Sequence, residues 1–143
     1  MKTIKMKLFN ILNVSAVLTL FTMASCKDMF DDGTKIDGST PYEEITSPAA
    51  GSAYQASEPL RLLTAFGDKD GFKQIDVKFV RLADGAKGSE SVVDFQRTPG
   101  VNQYKIDTTF AANTFTPGKY QMTIHSVDKR QNEGTKEVLF DVN

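Results

Sequence analysis

The chain has 143 residues, 24% of them charged, with a formal net charge of −1, one histidine, one cysteine and no tryptophan. Three of its 17 basic residues and none of its 18 acidic ones fall within residues 1–25, so residues 26–143 carry a formal charge of −4. With no Lys/Arg block in that part, a phosphate-binding footprint has nothing to build it, which excludes a nucleic-acid partner. One cysteine excludes an internal disulfide, and one histidine excludes a metal centre built on several imidazoles.

Lys2, Lys5 and Lys7 open the chain and are followed by 18 uncharged residues, Leu8 to Ser25. The run closes on Met23, Ala24, Ser25 and Cys26. A basic start, an apolar middle and a small-residue end is the order of an export signal cut at its C-terminal side. Asn10 and Asn13 interrupt the apolar run, and a permanent span wants ~20 predominantly apolar residues. An uncleaved membrane anchor is the competing reading.

These residues resemble the lipobox of bacterial lipoproteins, with Met23 where leucine is commonest. The resemblance implies removal of residues 1–25, lipid on the Cys26 thiol, and attachment to the outer membrane. Lys27 and Asp28, followed by Asp31 and Asp32, resemble the acidic export tag of Bacteroidetes-type surface lipoproteins, which implies display at the cell surface. A solvated linker is the alternative for that short run. Residues 26–41 are poor in apolar side chains and rich in Asp, Gly, Ser and Thr, the composition of a flexible tether. The division is therefore a signal over 1–25, a lipidated N-terminus and linker over 26–41, and one domain over 42–143.

Within the domain, strands are predicted at 43–46, 60–66, 74–82, 91–96, 103–110, 118–127 and 135–142. Turn residues separate them, among them Pro48, Pro59, Pro99 and Gly100. Ile75, Val77 and Phe79 alternate with Asp76 and Lys78; Tyr104 and Ile106 alternate with Lys105; Tyr120, Met122 and Ile124 alternate with Gln121 and Thr123; Val138, Phe140 and Val142 share a face of the last strand. No segment carries a long helical period. About seven short strands with turns between them predict an all-β, immunoglobulin-like antiparallel β-sandwich. Pro117, Gly118, Lys119 and Tyr120 place a tyrosine at the start of the penultimate strand, the position of a tyrosine corner. The turn, the Ser-Pro and Gly opening, and the Asp128 to Asn132 hairpin resemble the Ig-like domains of small bacterial surface lipoproteins. That resemblance implies fold and setting, not activity.

Candidate chemistry is sparse. His125 is expected to point outward with Gln121 and Thr123, with no nucleophile or third group at triad spacing. Acidic residues are numerous enough for a glycosidase dyad by composition, but such enzymes also need a cleft and sugar-stacking rings. Tyr42, Tyr54 and Phe72 are the rings whose exposure would favour carbohydrate binding. Asp68 and Asp70 in one predicted loop and Asp128 and Asn132 in another share an end of such a sandwich, so they are the candidate ligands for a hard cation such as Ca²⁺. Two solvated turns are the other reading of the same residues. Taken together, the residues predict a non-catalytic, lipid-anchored binding or structural module without a resident cofactor, whose partner is a surface protein or a glycan. A carbohydrate-binding accessory protein is the alternative.

Overall fold

A computed structural model of the chain describes residues 36–82 and 89–143. The export run, Cys26 and the acidic residues after it lie outside the described residues. Eight strands are formed: β1 Tyr42–Ser47, β2 Ala53–Tyr54, β3 Leu60–Gly67, β4 Phe72–Arg81, β5 Glu90–Arg97, β6 Gln103–Phe110, β7 Gly118–Asp128 and β8 Glu133–Val142. They make a three-stranded sheet in the order β1-β3-β6 and a five-stranded sheet in the order β2-β8-β7-β4-β5. The chain changes sheet at every connection except the β4–β5 and β7–β8 hairpins.

Alternation decides register here, because a slip of one residue would turn each apolar set outward. Val77 lies opposite Ile124, and Phe79 opposite Met122. Tyr120 lies opposite Phe140, and Met122 opposite Val138. Ile75, Val77, Phe79, Met122 and Ile124 are fully buried, and Leu62, Phe66 and Ile106 cover them from the smaller sheet. Each such side chain contributes about 1.5–3 kcal/mol through removal from water.

Seven of the eight strands match the predicted ones, and the additional one is β2. Its two residues pair in parallel with Asp141 and Val142 of β8. Two residues are too short to show alternation, so the sequence offered no period to read there. The third predicted strand begins at Phe72 rather than at 74. A register shift between Phe72 and Gln74 breaks the alternation and turns Phe72 into the core.

The tyrosine corner is present. Tyr120 is fully buried, and its Oη donates to the Thr116 carbonyl at 2.8 Å. Tyr120→Phe removes that bond and the longer contact with Thr116 Oγ1 at 3.5 Å, and leaves the ring stack on Phe140, whose centroid lies 5.5 Å away. The variant should lose about 1 kcal/mol of stability or slightly more. A urea midpoint equal to that of the parent would mean that Tyr120 only fills space.

Candidate functional site

Three loops and the entering chain meet at one end of the sandwich. The β3–β4 loop is closed by Asp68, whose Oδ1 accepts from the backbone N–H of Asp70 at 2.8 Å and of Gly71 at 3.1 Å. Gly71 has φ of +85°, which favours glycine, and the space beside it is filled by Lys129 Nζ and Asn102 Oδ1. The β5–β6 loop is stitched to this turn through Phe72 N–H to Val101 O and Asp68 N–H to Asn102 O. Lys129 N–H reaches the Gly71 carbonyl at 2.9 Å and so ties in the β7–β8 loop.

Asp128 organises that last loop from a fully buried position. Its Oδ1 accepts from Asn132 N–H at 2.8 Å and its Oδ2 from Asn132 Nδ2 at 2.7 Å. Asn132 in turn holds the entering chain: Nδ2 donates to Asp37 Oδ1 at 2.9 Å, and Oδ1 accepts from Gly38 N–H at 3.0 Å. The Gly38 contact fixes which way the amide points, because only the oxygen can accept.

Carboxylate oxygens of Asp37, Asp70 and Asp128 come within 4.8 Å of one another. Two cations sit among them. Lys69 Nζ bonds Asp37 and, at 2.6 Å, Asp70. Arg130 Nε lies 2.9 Å from Asp70 Oδ1, and its Nη1 lies 3.8 Å from Asp37 Oδ2. The Lys69 ammonium, and then the Ser39 N–H, hold the Asp37 carboxyl down at about 2. Lys69 is also the first cause, ahead of Arg130, for the lowered value of Asp70.

Of the four residues proposed as cation ligands, Asp70 and Asp128 are therefore brought together. Asn132 adjoins them but presents its NH₂ to Asp128 and Asp37. Asp68 is turned to its own loop. Asp37, which the sequence assigns to the linker, completes the cluster. Its signal was the Asp-Gly-Ser run, since Asp37 Oδ1 accepts from Ser39 N–H in an Asx turn. The arrangement acts as a clasp that fixes where the chain enters the domain.

His125 lies on the open face of the larger sheet, as expected, with Nδ1 3.5 Å from Asp76 Oδ2 and Nε2 3.3 Å from Glu133 Oε2. Of the three rings singled out, Phe72 is buried and Tyr54 packs edge-on against Phe140 at 5.8 Å. Only Tyr42 is exposed, at 60%.

Glu43 was not foreseen as a buried acid. It points between the sheets, and its Oε1 accepts from Ser126 Oγ at 2.5 Å. Burial raises its carboxyl above the ordinary value, against the Ser126 bond and the Lys136 charge, which lower it. An acid raised in the folded state leaves stability intact below its unfolded pKa, and stability falls as pH rises through the folded one. Glu43→Gln should thus melt higher than the parent at pH 7, with the gap closing toward pH 4. A gap that widens on acidification would show that the carboxylate form is the stabilising one.

No protein-family model matches the chain, and no curated protein matches it. Among solved structures, OgpA from Akkermansia muciniphila superposes with a TM-score of 0.51 at 11% identity, over 76% of this chain and 30% of that one. The fold is immunoglobulin-like. The chain thus corresponds to under a third of OgpA, and the likeness at this identity concerns fold alone. Lower superpositions are found with the fibronectin(III)-like modules of Clostridium thermocellum CbhA, at TM-score 0.43, 17% identity, and 71% and 94% coverage. Murine CRIg gives 0.43 at 9% identity, with 71% and 97% coverage.

Proposed function

We infer that this chain is a lipid-anchored, non-enzymatic Ig-like module of the outer membrane, carried at the cell surface and serving as a binding or structural unit. The observation that carries this reading is the clasp. Among the described residues, the acidic cluster of Asp37, Asp70 and Asp128 is engaged with Lys69, Arg130 and Asn132 in holding loops together. His125 stands between two carboxylates on an open sheet face rather than beside a nucleophile in a cleft. These contacts support the non-catalytic reading.

The anchoring part of the reading comes from Cys26 and the run before it. Several acyl chains, each contributing ~0.8 kcal/mol per buried methylene, make attachment effectively permanent. Cys26→Ser is expected to shift the full chain from the membrane pellet to the soluble fraction and to abolish palmitate labelling. Retention of the variant in the pellet would assign anchoring to an uncleaved helix. A carbohydrate-binding accessory role is the second reading, favoured by the exposed ring of Tyr42.

A further inference from the structure

We propose that the outer face of the three-stranded sheet is a binding groove for a neutral oligosaccharide, with Tyr42 as its stacking wall. The proposal rests on the binding-module reading and names the ligand class.

The register builds the groove. Tyr42 lies opposite Gly67, which lies opposite Gln103, and in the adjoining row Glu44 lies opposite Ala65, which lies opposite Lys105. The central strand β3 thus contributes its two smallest side chains in consecutive outward rows, while β1 and β6 contribute long ones. A trough follows along β3, floored by Ala65 and Gly67 and walled by Tyr42, Gln103 and Lys105, with Glu44 reaching its rim through Tyr42 Oη. Past Gly67 it continues to Ser39, Thr40 and Asn102.

Gly67 is the residue that folding does not explain. It is the last residue of β3, paired with Tyr42 and with Gln103, its φ is not in the left-handed region, and a Cβ there would meet only Tyr42 Cδ1, at an ordinary 3.9 Å. Glycine in a strand is destabilising, because it adds backbone entropy to the unfolded chain and packs nothing. Neither a turn nor a close approach requires it. What its missing side chain does is leave the ring of Tyr42 and the floor beside it open.

The lining chemistry selects the ligand. A ring edge-fixed through Tyr42 Oη to Glu44 Oε2, at 3.3 Å, offers an apolar surface of the kind on which a pyranose ring packs its C–H face. The Gln103 amide and the Glu44 and Lys105 side chains supply donors and acceptors at the rim for sugar hydroxyls. On the outer face of this sheet Arg61 and Lys105 both pair with Asp107, at 2.8 and 3.2 Å, and with Glu44 they sum to zero charge, so the face attracts neither polyanions nor polycations. One aromatic wall with a few polar groups around it is the general make-up of a small-molecule site.

The test is native electrophoresis of the full chain, solubilised in detergent, through gels containing soluble β-glucan, xylan, mannan or dextran, followed by an array of neutral oligosaccharides. Retardation by at least one of them is expected, with Tyr42→Ala weakening it about tenfold or more. Gly67→Thr is expected to abolish retardation while melting at or above the parent's temperature, since it fills the groove and supplies a strand former. Binding unchanged in both variants would overturn the groove as the site. So would a lower melting temperature for Gly67→Thr, which would give the glycine a folding role, or the absence of retardation by every neutral glycan. In the last case membrane fractionation of Cys26→Ser still reports on the anchored-module reading independently.

Discussion

Phe115→Ala should remove about 3–5 kcal/mol of stability, a large part of the roughly 5–15 kcal/mol that holds a domain of this size together. Phe115 belongs to the loop between β6 and β7, not to a strand, yet it is only 4% exposed. Its ring lies 5.3 Å from that of Phe79, 5.4 Å from Phe110, 5.4 Å from Tyr120 and 6.4 Å from Phe140, centroid to centroid. Truncation opens a cavity where four rings converge, and rings anchored on two different sheets cannot all move in to fill it. Urea unfolding followed by far-UV circular dichroism measures the loss. A change under about 1 kcal/mol would mean that the loop collapses into the space, and Phe115→Leu, which keeps most of the volume, should fall well short of the alanine effect.

Asp128→Ala is expected to cost about 3 kcal/mol, through a different mechanism. Two hydrogen bonds to a buried carboxylate are lost, from Asn132 N–H and Nδ2, and bonds to charged groups are worth about 1.5–3 kcal/mol each before relaxation. The buried N–H of Asn132 is left without its acceptor. Lys69→Ala, which strips an ammonium 53% exposed from the same cluster, should cost far less, because solvent screens such pairs. The ratio of the two effects is the informative quantity. Equal losses would show that the ion pairs, rather than the buried turn, hold this end closed.

The fold was legible wherever one face of a strand is buried and the other wet. β7, and β4 from Ile75 onward, alternate cleanly, and the Pro-Gly-Lys-Tyr turn announced the tyrosine corner. Features that alternation does not encode stayed hidden. Phe115 enters the core from a loop, where period has no meaning. β2 is held by backbone bonds to β8 and carries little pattern of its own. The candidate site was half legible: placing the two Asp-containing loops at one end follows from topology, and Asp70 and Asp128 do meet there. Asp37 was missed because a polar, glycine-containing stretch reads as tether, and only the position of Asn132 in space turns it into a docking segment. Burial of Phe72 depends on the register shift at the start of β4, and exposure of Tyr42 on its place in an outward row of the β1–β3 ladder.

The parallel pairing of β2 with β8 has a mechanical meaning. Gly51 N–H to Leu139 O, Asp141 N–H to Ser52 O, Asn143 N–H to Tyr54 O and Ala56 N–H to Asn143 O form one continuous row of four bonds, between 2.8 and 2.9 Å. In a parallel pair, tension applied on the chain before β2 and after β8 acts in opposite directions along the two strands. The row is therefore sheared as a unit, with all its bonds strained together, instead of being peeled apart one at a time. Tension from the N-terminal side meets the Asp37–Asn132 contact and the β1–β3 ladder first, and once it reaches β2 this short patch resists as a unit.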